Sequence, residues 1–161
     1  MKFKAIKPKA IIATSTVMLL AGLVVLTISL STVPVSASPA YVGSGDLHVT
    51  KECSQYAGSA GSFCTITSSN LAEIKVGSRI YYGQAANIPP GVLDSNVVLD
   101  AGNGDRAVGR CILDFTTGLG LCTFSDGTGR FTNFQARIDV SFTGGANWRW
   151  DGKYTFNPGP H

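Results

Sequence analysis

Cys122–Phe156 reads CTFSDGTGRFTNFQARIDVSFTGGANWRWDGKYTF, and its pattern decides the fold. Two glycine-rich turns, Asp126-Gly127-Thr128-Gly129 and Gly144-Gly145, separate runs in which apolar and polar residues alternate. Successive side chains of an extended strand point to opposite faces. Trp148, Trp150, Tyr154 and Phe156 therefore share one face of the last run. In the run before it, a strand predicted over Arg130–Phe142, Ile138, Val140 and Phe142 oppose Arg137, Asp139 and Ser141. Faces this apolar must be buried, and the chain upstream offers more runs of the same kind.

Leu93–Asp100 and Ala107–Phe115 flank Ala101-Gly102-Asn103-Gly104-Asp105, whose Asn-Gly pair signals a hairpin. Ala107–Phe115 and Leu119–Phe124 flank Thr116-Thr117-Gly118, a second hairpin. Upstream, Asp46–Glu52, Phe63–Thr67 and Val76–Gly83 read as strands, with Leu47 and Val49 opposing His48 and Thr50, and Ile80 and Tyr82 opposing Arg79 and Tyr81. Ser54–Ser62 is a Gly/Ser/Ala-rich loop, and Pro89-Pro90 argues against a central strand in that region. Ser69–Ile74 is the one stretch that predicts a helical turn, with Ser69 or Asn70 as its cap. Roughly seven or eight strands at about 8–12-residue spacing form the pattern of a small antiparallel sandwich or closed barrel.

The N-terminus has a different character. Lys2, Lys4, Lys7 and Lys9 precede an apolar run from Ala10 to Leu30, and Val35-Ser36-Ala37 follows Pro34. This is the order of an export signal, with small residues where signal peptidase cuts. The reading is a signal peptide over residues 1–37, a loose small-residue start over 38–44, one β domain over 45–157 and a polar tail over 158–161. The competing reading is an uncleaved signal-anchor, because the run is long enough to span a bilayer. The expected location is secreted or periplasmic, with membrane contact only through an uncleaved leader. The full chain carries 13 Lys+Arg and 10 Asp+Glu, net +3; losing four lysines and no acid leaves the mature domain at −1. No basic patch is left to bind nucleic acid.

Four cysteines in an exported chain point to disulfides. Cys53 and Cys64 are 11 residues apart, as are Cys111 and Cys122, and each pair flanks a turn, so local pairing is expected among the three possible arrangements. Cys111 shares a strand face with Leu113 and Phe115, and Cys122 shares one with Phe124, so a Cys111–Cys122 bridge sits on the apolar side. A metal site is not expected: there is no Cys-x-x-Cys, and the histidines are His48 and the terminal His161. No cofactor is expected either, since Gly102–Gly104 lacks the lysine and following helix of a phosphate loop. A serine nucleophile is poorly supported, with His48 the sole internal histidine and no Gly-x-Ser-x-Gly elbow.

Gly127-Thr128-Gly129-Arg130-Phe131, followed by Phe134-Gln135-Ala136, resembles the turn-and-strand of the allene oxide cyclase and dirigent proteins. The preceding hairpin and the Trp148–Phe156 end sit where their last strands lie, so the resemblance spans about Val97–Phe156, half of the mature domain. It implies an eight-stranded antiparallel barrel, closed, with an interior or mouth able to hold a small apolar molecule. In the plant relatives the cavity guides a cyclisation or a radical coupling. Their acidic and polar cavity residues do not align onto this chain, so the fold carries over without a catalytic set.

Candidate ligand contacts are Trp148, Trp150 and Tyr154 from the aromatic stripe, Tyr81 or Tyr82 at a barrel mouth, and the strand carboxylates Asp100 and Asp114. Asp94 is a further strand carboxylate, and Arg110 or Arg137 is the candidate partner for whichever of the three lies inside. Asp is disfavoured in strands, and a carboxylate held inside a barrel has its pKa displaced. Each residue also has a plain structural explanation as core filler, strand end or outward face. The reading is an exported, disulfide-stabilised barrel that binds a small apolar ligand or serves as a scaffold, without turnover. The alternatives are a cyclase- or isomerase-type enzyme templated by the cavity, and an envelope interaction protein.

Overall fold

The computed structural model describes residues 43–156, and these form a closed antiparallel barrel of eight strands in sequential order. The strands are β1 (Gly43–Glu52), β2 (Phe63–Ser69), β3 (Arg79–Tyr82), β4 (Val92–Asp100), β5 (Arg106–Asp114), β6 (Leu119–Thr128), β7 (Phe134–Gly144) and β8 (Asn147–Phe156). The leader, its cleavage site and the tail lie outside the described residues. Gly43 and Ser44, assigned by sequence to the loose start, belong to β1 and pair with Phe156 and Thr155.

Alternation sets which side chains fill the interior. Leu47 and Val49 on β1, Ile66 on β2, Ile80 on β3, Leu93, Val97 and Leu99 on β4, and Ile138 and Val140 on β7 are all buried. Small barrels close only when inward side chains fill the bore, and the aromatic residues Phe124, Phe134, Trp150 and Phe156 supply much of that volume here. Phe134 stacks at 5.1 Å on Phe156 and at 5.3 Å on Phe131. At this end of the barrel Phe131, Leu71 and Ile74 are buried as a plug.

Both disulfides form as spacing predicts. Cys111 and Cys122 are directly opposite in the β5–β6 ladder, with Cα atoms 4.1 Å apart. Cys53, just past β1, bridges to Cys64 on β2 across 4.2 Å. The expected Asn-Gly hairpin is present: Asn103 and Gly104 both have positive φ, and Asp105 donates its N–H to the Gly102 carbonyl at 3.0 Å. This is the primed turn that matches strand twist. Leu71–Ile74 makes a single turn, with Ile74 N–H donating to the Leu71 carbonyl at 3.1 Å. The Ser69 hydroxyl accepts the Leu71 N–H at 3.1 Å, the capping role expected of it.

The strand expected from Arg130 instead starts at Phe134, and β6 runs on to Thr128. Between them Gly129–Phe131 is a single 3-10 turn. The cause is local. Gly129 takes a left-handed φ of +60°, and Asp105 Oδ1 accepts the Arg130 N–H at 3.1 Å. The Thr128 hydroxyl donates to the Gly104 carbonyl at 2.7 Å. The Gly-Thr-Gly motif thus clamps the 3-10 turn onto the β4–β5 hairpin. A Cβ at Gly129 would lie 2.2 Å from Asp105 Oδ1, and one at Gly127 would lie 2.3 Å from the Arg106 carbonyl.

Gly129→Ala is therefore expected to lose roughly 2–4 kcal/mol, through a disfavoured φ and the displaced Asp105. Gly43→Ala, with no atom within 4 Å of the added Cβ, serves as the comparison and is expected to be near neutral. Urea denaturation of the two variants measures the difference.

Candidate functional site

The mouth opposite the Phe131 plug is where the interior turns polar. Alternation from Leu47 and Val49 carries Lys51 inward, and this lysine is 1% exposed. Its Nζ donates to the Tyr82 hydroxyl at 2.5 Å and lies 5.3 Å from the Tyr82 ring and 4.9 Å from the Trp150 ring. Among the described residues no ion pair includes Lys51. Burying an ammonium without a counter-ion is expensive, so burial favours the neutral amine. It pulls the Lys51 pKa from 10.5 to about 7. Burial, with the neighbouring Tyr56 second, pushes the Tyr82 phenol well above its usual value. Tyr82 is thus held protonated beside an amine that is half neutral.

Apolar groups close over this pair. Tyr56 stands edge-on to Tyr82 at 5.1 Å and 6.1 Å from Phe115, which in turn stands edge-on to Trp148 at 6.1 Å. A cavity of about 20 Å3 remains among Lys51, Tyr56, Tyr82, Leu93, Leu113, Phe115, Trp148 and the Cys53–Cys64 bridge. That is room for about one water molecule. The Tyr56 hydroxyl and the Trp150 indole N–H are buried without a hydrogen-bond partner. Buried polar atoms are rarely left so, because each costs about 1–3 kcal/mol.

Tyr56 is held by the loop between the first cysteine pair. Cys53 N–H donates to the Ala146 carbonyl at 2.9 Å, Gly61 N–H to the Tyr82 carbonyl at 2.7 Å, and Ala86 N–H to the Gly58 carbonyl at 2.9 Å. With the Cys53–Cys64 bridge, these bonds fasten the loop to β3, the β7–β8 turn and the loop before β4. The rim outside it carries exposed Ile88, Leu119 and Phe142.

The residues singled out from sequence divide between this mouth and elsewhere. Tyr82 and Trp148 meet at the cavity, and Trp150 lies fully buried beneath Lys51. Tyr81 faces outward, its ring 5.4 Å from Phe63 and its hydroxyl accepting from Arg79 at 3.4 Å. Tyr154 is half-buried farther along β8, beside Phe156 at 5.9 Å. Asp100 ends β4 and caps the β4–β5 turn, accepting the Gly102 N–H at 2.9 Å and Arg106 Nε at 3.0 Å. Those bonds, the backbone one first, hold its carboxyl below the usual range. Asp114 caps the next turn, accepting the Thr116 N–H at 2.8 Å, which lowers its carboxyl likewise. Asp94 forms an exposed bidentate pair with Arg110 at 2.6 and 2.7 Å. No carboxylate among these enters the barrel. Lys51, Tyr56 and Phe115 are the members that sequence reasoning missed. The signal for Lys51 was its parity with Leu47 and Val49.

A proton count predicts how the site loads the fold. Between about pH 7 and 10.5 the unfolded chain binds more protons at Lys51 than the folded chain, so stability rises with pH across that window. Below it the buried amine costs up to about 5 kcal/mol. Lys51→Met, which keeps the volume, is expected to melt higher than wild type near about pH 6, with the advantage shrinking toward about pH 10. Scanning calorimetry at both pH values reads this; an equal advantage at both would mean that the amine reaches water.

No family model, no curated protein and no solved structure matches this chain.

Proposed function

We propose that this chain is an exported binding barrel, acting without turnover, that takes a small and largely apolar molecule into the mouth at Lys51. The observation that carries the reading is the pairing of Lys51 Nζ and the Tyr82 hydroxyl at 2.5 Å inside an otherwise apolar cavity, with the Tyr56 hydroxyl left without a partner. Binding sites are typically apolar pockets with a few convergent polar groups, and this one has that composition. The apolar rim at Ile88, Leu119 and Phe142 offers a landing surface at the same mouth. Two disulfides suit an oxidising compartment, in agreement with the export signal read from the N-terminus.

The eight-stranded closed barrel is the architecture that the allene oxide cyclase and dirigent resemblance implies, and together with the Gly-Thr-Gly turn it supports that reading. The cavity size speaks for binding over templating. A volume of about 20 Å3, room for about one water, does not enclose a chain long enough to cyclise, so a ligand enters by displacing Tyr56 or lies on the rim. The nearly filled bore also favours a second reading, in which the outer surface makes contacts in the envelope.

The test is native mass spectrometry of the protein purified from its own source, with 8-anilinonaphthalene-1-sulfonate fluorescence alongside. A retained small molecule in wild type, lost in Leu113→Phe where the added bulk occupies the cavity, is the expected result. No retained molecule and no rise in dye fluorescence would leave the contact-protein reading standing in its place.

A further inference from the structure

We infer that Lys51 captures short-chain aldehydes as a reversible imine, with the Tyr82 hydroxyl relaying the proton; this rests on the mouth being a ligand site and names the class of ligand. The nucleophile and its proton relay are already in contact, Nζ to hydroxyl at 2.5 Å. No ion pair among the described residues ties up the amine, and it shares the cavity with aromatic rings, two leucines, the Cys53–Cys64 disulfide and the Tyr82 hydroxyl. A lysine desolvated in an apolar pocket is the usual form of an amine nucleophile. Burial supports this by leaving much of the amine neutral at neutral pH.

The chemistry balances without an outside oxidant or reductant. The Lys51 lone pair attacks the carbonyl carbon, and the carbonyl oxygen gains a proton through Tyr82 as the nitrogen gives one up. The carbinolamine then loses water, the C–O bond breaks and the C=N bond forms. Amine, aldehyde, imine and water are all neutral, so no ion is created in a site that penalises ions. A carboxylate ligand would instead require an ammonium–carboxylate pair to be buried. The Tyr56 hydroxyl is buried without a partner among the described residues, on a side chain that lines the same cavity. The cavity of about 20 Å3 holds about one water, so any aldehyde must displace Tyr56, and the shortest chains require the least displacement.

The other lysines of the described barrel, Lys75 and Lys153, are exposed and provide internal references. The purified protein is incubated near neutral pH with propionaldehyde and sodium cyanoborohydride, which reduces the imine to a stable propyl-lysine. Peptide mapping then measures propylation at each lysine. Lys51 is expected to be modified at least about tenfold faster than Lys75 or Lys153, since its neutral fraction is far larger. The preference is expected to vanish in urea. Tyr82→Phe, checked for folding by dichroism, is expected to slow Lys51 several-fold and leave the other lysines unchanged; an unchanged Lys51 rate would remove Tyr82 from the step. Lys51 modified no faster than the exposed lysines would overturn imine capture. In that event, a tryptophan fluorescence response to 1-propanol would keep the mouth as a non-covalent site, and its absence would remove the site as well.

Discussion

Ten residue pairs between β1 and β8 close the sheet on itself, and everything else in the barrel follows from that closure. A closed sheet has no free edge to pair with another chain. It also fixes which half of each strand faces the bore, because a slip of one residue would turn every side chain over. Leu47, Val49 and Trp150 are locked inward by this register, and so is Lys51, opposite Trp148. The lysine is inside because its strand is committed along its whole length. The fold accepts the penalty of one desolvated amine to keep a continuous ladder.

The interior is divided as a result. One end is sealed by hydrocarbon, with Phe131 and Phe134 packed face against edge beside Leu71 and Ile74. The other has an amine, two phenols and an indole N–H that together make fewer hydrogen bonds than they are able to make. A protein that needed only a core would have placed leucine or methionine at residue 51, where alternation demands an apolar side chain. Burial of the amine works against stability, a trade that the proposed binding role accounts for.

Much of the barrel was legible because period-two alternation is a local signal. It put Tyr81 and Tyr82 on opposite faces, put Cys111 and Cys122 on the apolar face, and found the Asn103-Gly104 turn. What escaped depended on contacts distant in sequence. The break at Gly129–Phe131 is held by Asp105, 25 residues before Arg130, and nothing near Arg130 announces it. Asp100 and Asp114 looked like strand carboxylates, yet they cap the turns that follow, since a strand-end Asp readily accepts from backbone N–H groups two residues on. Tyr56 sits in a small-residue loop whose path is set by its cysteines and by β3. Lys51 escaped for another reason: the parity was visible, but charge argued against it.

The Cys53–Cys64 bridge has a meaning beyond the energy of loop closure. It is the covalent tether of the loop that lays Tyr56 over the amine. Before those two thiols join, only hydrogen bonds and ring packing hold that cover. Forming the bridge therefore fastens the shelter of the amine by the same bond that closes the loop.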